Sequence, residues 1–158
     1  ITALLTSLGA LANKQGDLAK AEQYYHEGLS VAQQADNKPR IAALLTNLGV
    51  MAVKQGDYQN AQSYYEQALQ LARQIGNKRR LTITLLQNLG ALMEARGDYA
   101  QASTYFREGL SQAREIGDPE LKSRMLGNLG LLACALKNYA ESETLFNEGL
   151  TNKKGTRN

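Results

Sequence analysis

The chain has 158 residues, a formal net charge of +3, 43% apolar and 21% charged residues, and only two prolines. That balance supports a packed core and excludes a disordered or low-complexity chain. Cys134 is the sole cysteine, which rules out an internal disulfide, and no apolar run approaches the roughly 18 residues of a transmembrane helix. A lone cysteine fits a reducing compartment, so the expected location is cytoplasmic. The positive charge is spread along the chain, with Lys78-Arg79-Arg80 as its one basic run. With no basic stripe interleaved with aromatics, neither nucleic acid nor a membrane is an expected partner.

In chain order the elements repeat. Residues 1–35 carry Ser7-Leu8-Gly9 on a first apolar helix, then Gly16-Asp17-Leu18, then Ala21, Tyr25 and Leu29 on a second. Residues 36–76 give Asn47-Leu48-Gly49, Gly56-Asp57-Tyr58, Ala61, Tyr65 and Leu69. Residues 77–117 give Asn88-Leu89-Gly90, Gly97-Asp98-Tyr99, Ala102, Phe106 and Leu110. Residues 118–151 give Asn128-Leu129-Gly130, Lys137-Asn138-Tyr139, Ser142, Phe146 and Leu150. The glycines at 9, 49, 90 and 130 set a period of 40 or 41 residues. The tail 152–158, NKKGTRN, is expected to fray or be disordered.

Each repeat reads as a pair of helices, A and B. In the third, Leu81, Leu85, Leu86, Leu89, Leu92 and Met93 follow helical spacing, which predicts helix A over about 78–96. Gly97 is a left-handed stop, Asp98 an N-cap with Gln101 at the capping-box position, and helix B runs to about Ile116. Asp118-Pro119 is a cap followed by proline at the first helical position. No strand alternation occurs. A single all-α array over 1–158 follows, with Gly49 and its equivalents set against small residues of helix B such as Ala61. Overpacking that contact by Gly90→Leu is expected to cost roughly 1–3 kcal/mol.

Groups that carry chemistry are sparse. His26 is the only histidine, expected at the surface, and no zinc-spaced cluster, Gly-x-Gly-x-x-Gly or Walker sequence occurs. Cys134 has no charged neighbour to activate it. No enzyme, cofactor or metal site is expected.

Leu45-x-x-Leu48-Gly49-x-x-Ala52 followed by Ala61-x-x-x-Tyr65, matched in all four units, resembles the tetratricopeptide repeat (TPR). The usual tryptophan is leucine here (Leu5, Leu45, Leu86, Leu126) and the late proline is missing. The long period and Asn-Leu-Gly look like the repeats of kinesin light chains, the Leu-Gly-Asn adaptor and bacterial signalling ATPases. HEAT repeats share the period but do not explain the Gly-Asp-Tyr turn.

The resemblance implies an α-solenoid, a right-handed superhelix of four helix-turn-helix repeats, whose A helices line a concave groove. Partner-binding candidates on that lining are Thr46, Asn47, Val50 and Lys54 in the second repeat and Thr84, Gln87, Asn88 and Ala91 in the third. The fourth supplies Arg124, Asn128 and Leu131, and Ala3, Thr6, Ser7, Ala10, Asn13 and Lys14 are the first repeat's lining. Amides at 47, 88 and 128 offer a donor and an acceptor to a peptide backbone. The competing reading is that they bond a neighbouring helix and stiffen the stack. The lining carries few charges, so a clamp for an acidic C-terminus is not expected, whereas an extended or amphipathic helical peptide is.

The expected function is a non-enzymatic scaffold holding a peptide or protein segment in this groove. The alternatives are a module that self-associates through its solenoid ends, or the effector-sensing segment of a larger signalling ATPase or transcription regulator. The first helix begins closer to its glycine than later ones do, which suggests a piece of a larger array.

Overall fold

The computed structural model describes residues 1–76 and 79–154, with side chains through residue 151. Its described residues form eight helices and no strand: α1 (Thr2–Lys14), α2 (Leu18–Gln34), α3 (Lys38–Gln55), α4 (Tyr58–Gln74), α5 (Arg79–Ala95), α6 (Tyr99–Glu115), α7 (Pro119–Ala135) and α8 (Tyr139–Lys154). They fall into two compact units, Ile1–Lys78 and Arg79–Asn158, each containing two A/B helical pairs. In the first unit α1 packs on α2, α2 on α3 and α3 on α4; in the second α5 packs on α6, α6 on α7 and α7 on α8. This is an all-α helical-repeat solenoid fold. Lys78 and most of the tail expected at 152–158 lie outside the described residues or side chains.

The turn between A and B is built from two residues. In the second repeat the Gly56 N–H donates to the Val53 carbonyl at 3.0 Å and the Asp57 N–H to the Ala52 carbonyl at 2.8 Å. Two of the orphan carbonyls of the helix end are thus satisfied, and the geometry requires Gly56 at φ 78°. Asp57 then starts α4 by accepting from the Asn60 N–H at 3.1 Å. Asp17, Asp98 and Asp118 cap α2, α6 and α7 in the same manner. The fourth repeat puts Lys137 at φ 61° in the glycine's place, a strained setting for a residue with a Cβ.

The helix-A glycine meets a different partner from the one its spacing suggested. A Cβ built on Gly9, Gly49, Gly90 or Gly130 would lie 2.7, 2.6, 2.6 or 2.9 Å from Cδ1 of Tyr25, Tyr65, Phe106 or Phe146. One edge of a helix-B ring, Cδ1, Cε1 and Cζ, fills the space a Cβ would take at the glycine in every repeat. Side chains on a helix lean toward its N-terminus, so an aromatic one turn beyond the small residue reaches back over that residue's level. The small position still matters: Ser142, buried, donates through Oγ to the Gly130 carbonyl at 2.8 Å.

Burial pushes the Tyr65 phenol up to about 12, and raises Tyr25 for the same reason. The unfolded chain then gives up the Tyr65 proton near pH 10 while the folded chain keeps it. Stability contributed by the neutral phenol is complete below pH 10 and is lost as pH rises through about 12, by something on the order of 2 kcal/mol. Tyr65→Phe, which copies the Phe106 repeat, is expected to be near neutral at pH 7 and to flatten this alkaline loss. Urea unfolding between pH 9 and 11.5 checks it; an unchanged slope in the variant contradicts the assignment.

Candidate functional site

The A helices place the candidate side chains by register. Thr46, Asn47 and Val50 stand half-buried on α3, and Thr84, Gln87 and Asn88 half-buried on α5. On α7 Asn128 is half-buried, while Arg124 and Leu131 are exposed, the latter by 60%. Ala91 and Lys54 are also exposed. Asn88 and Asn128 sit at equivalent positions of α5 and α7, which touch one another in the second unit. Asn47 belongs to the first unit, where Ser7 is its equivalent on α1.

These groups differ in what they have left to offer. The hydroxyls of Thr46 and Thr84 donate to the carbonyls of Ala42 and Arg80, at 2.7 and 3.0 Å, so their protons are spent inside their own helices. Lys54 Nζ donates to Asn13 Oδ1 at 2.8 Å, tying α3 to α1. Arg124 is held by Glu120, one turn back, at 2.8 Å. Lys54 and Arg124 therefore have an amide and a carboxylate partner already, which weakens a carboxylate clamp built on those two. Among the described residues the side-chain amides of Asn47, Asn88 and Asn128 make no hydrogen bond within the protein, yet none is sealed from solvent. The link to a neighbouring helix that a stiffening role requires is not among the hydrogen bonds formed.

Gln87 presents the opposite case. Its Oε1 is fully buried and has no donor. An orphaned buried acceptor costs about 1–3 kcal/mol. Gln87→Met keeps the length of the side chain and removes the orphan, so its urea midpoint is expected to rise, by a stabilisation on the order of 1 kcal/mol. A lowered midpoint would mean that a donor reaches Oε1 in solution.

Tyr64 on α4 is raised by burial and then by the charges of Glu22 and Asp57. Glu148 on α8 is lowered, first by its hydrogen bond from Arg114 and further by Lys122, against an opposing effect of burial. His26, exposed as expected, lies 3.8 Å from Glu22 and edge-on to Tyr64 at 6.4 Å between ring centres. Cys134 is exposed. Among the described residues no group of three or more His, Cys, Asp or Glu could hold a metal ion, and no helix is long and apolar enough to cross a membrane.

Family models described as tetratricopeptide repeat match residues 1–74, 40–115 and 92–155. No curated protein sequence matches the chain. Among solved structures it is similar to BtubC (BKLC) from P. vanneervenii, at 20% identity and a TM-score of 0.87, over 98% of this chain and 63% of that one. It is similar to a STAND signal-transduction ATPase with a tetratricopeptide repeat sensor from Pyrococcus horikoshii, at 16% identity and a TM-score of 0.88, over 96% of this chain and 23% of that one. A Rap protein complexed with Competence and Sporulation Factor aligns at 15% identity and a TM-score of 0.84, over 96% and 42%. The chain thus spans less than two thirds of the length of each of these structures. At such identities the likeness carries the fold; the family rests on the repeat models, which between them cover nearly every residue. The chain belongs to the tetratricopeptide repeat family, and is a repeat scaffold of the kind used for protein interaction.

Proposed function

We propose that the chain is a non-enzymatic scaffold that holds a peptide or protein segment against the A-helix lining of its repeats. Asn47, Asn88 and Asn128 are its principal polar contacts. The observation that carries this reading is that all three amides are half-exposed, recur on schedule and have no partner within the protein. A free amide donates and accepts, so it can pair with a backbone peptide group while leaving the ligand's sequence to other contacts. Those contacts are Val50, Ala91 and Leu131, a small and apolar set suited to an extended or amphipathic helical segment. The expected groove occupant is thus apolar or amphipathic, and Lys54 and Arg124, already paired, offer little to an acidic residue.

A second reading is favoured by one likeness, to the tetratricopeptide repeat sensor of the STAND ATPase. There the lining would receive an effector on behalf of a further domain. Both readings use the same surface, and a peptide-array screen addresses it directly. Wild type is expected to select apolar segments that an Asn47/Asn88/Asn128→Ala variant fails to retain. Equal retention by both proteins removes the asparagines from the site.

A further inference from the structure

In the first unit two lining positions of successive A helices are joined. Asn13, four residues after Gly9 on α1, accepts through Oδ1 from Lys54 Nζ at 2.8 Å, and Lys54 stands five residues after Gly49 on α3. The second unit carries Glu94 and Ala135 at these two positions, four residues after Gly90 on α5 and five after Gly130 on α7. The acceptor is thus kept and made anionic, whereas the ammonium that meets it is gone. Glu94 is half-buried, and among the described residues it makes no hydrogen bond and no ion pair. Ala135 is exposed and has no donor on its side chain to offer.

The other groups on this part of the lining do not supply the missing cation. Arg124 is paired with Glu120 at 2.8 Å, one turn back on its own helix. Gln87, Asn88, Ala91, Asn128 and Leu131 carry no formal charge. The uncompensated charge of this lining is therefore a single carboxylate. Gln87, Ala91 and Glu94 are spaced by four and three residues and so share one face of α5. At about 1.5 Å per residue Glu94 stands about 9 Å along that helix from Asn88. An extended chain running along the helix covers this distance in about three residues.

We propose that the second unit's lining takes a lysine side chain of the bound peptide, its ammonium on the Glu94 carboxylate where the first unit has Lys54 on Asn13. This rests on the groove reading and sharpens it: the occupant is an apolar segment with a lysine about three residues from the peptide group held by Asn88. The bond is charge-assisted, and the half-buried setting of the carboxylate reduces competition from water. The same carboxylate repels an acidic ligand, whose charge finds Lys54 and Arg124 already engaged.

Peptide pairs with acetylated N-termini, identical apart from lysine or acetyl-lysine at one position, test this by calorimetric titration. Wild type is expected to bind the lysine member at least about tenfold more tightly, the worth of one hydrogen bond between charged groups. The difference should narrow as salt rises. Glu94→Gln is expected to bind both members alike, with the affinity that wild type has for the acetylated one. Ala135→Lys copies the link of the first unit and is expected to weaken the preference, whereas the neutral Ala135→Gln keeps it. Unchanged helicity by circular dichroism verifies that the variants fold. Equal binding of the two members by wild type overturns the proposal, as does a preference that Glu94→Gln retains or that Ala135→Lys leaves unaltered. If both members are then still lost by the Asn47/Asn88/Asn128→Ala variant, the groove reading stands without it. A wild type that binds neither member of any pair removes both.

Discussion

Gly90→Ala is expected to destabilise the chain by up to about 2 kcal/mol, although alanine is the better helix former. The gain in helix propensity is about 1 kcal/mol. Against it stands a Cβ placed 2.6 Å from Cδ1 of Phe106, a ring only 1% exposed and enclosed on all sides. Overpacking of this kind costs roughly 1–3 kcal/mol or more where the neighbour cannot yield, and Gly90→Leu is expected to be worse. The same change at Gly130 gives a built-in control. There the ring is Phe146, 38% exposed on the last helix and free to swing outward, so Gly130→Ala is expected to be neutral or mildly stabilising. Shortening the ring in Gly90→Ala/Phe106→Leu should recover part of the loss, giving a coupling energy of about 0.5–3 kcal/mol in a double-mutant cycle. Urea unfolding of the set decides the matter. A Gly90→Ala variant more stable than wild type would show that the ring does not press on the glycine.

The second large effect concerns affinity. Each hydrogen bond from an asparagine amide to a ligand is worth about 0.5–1.5 kcal/mol net, so the Asn47/Asn88/Asn128→Ala variant is expected to lose roughly tenfold to a thousandfold in affinity for a selected peptide. Its thermal midpoint should hold or rise, because the amides make no internal bond among the described residues and alanine favours helix. Calorimetric titration beside a thermal scan separates the two contributions. A lowered midpoint with unchanged affinity would return the asparagines to a structural role.

Much of this was legible in the chain because each repeat writes the same signals in the same order. The Gly-Asp pairs mark the turns, and the structure ends α5 at Ala95 and starts α6 at Tyr99, within a residue or two of the boundaries that spacing predicts. Asp98 caps α6 and Pro119 opens α7 because a capping oxygen and a fixed φ are local properties. The partner of the glycine was not legible. Helical spacing says that Gly49 and Ala61 share an interface, but not that Tyr65, one turn further on, leans back to occupy it. That outcome depends on side-chain direction and on the room left by the missing Cβ. The states of the lining groups were hidden for a similar reason. Lys54 as a letter is a free cation, and only the approach of α1 to α3 gives it Asn13 as a partner. Nothing in the residue types separates Gln87, whose acceptor is sealed, from Asn88 beside it, whose amide is open.

The central claim, that scheduled asparagines on the A helices receive a peptide, is tested most directly by the side-chain amide signals of a 15N-labelled chain during titration with a selected peptide. The NH2 resonances of Asn47, Asn88 and Asn128 are expected to shift in step with one another and saturate together. Signals from Asn60 and Asn147 on the B helices should stay in place. Saturation of binding with the three lining amides unmoved would contradict it.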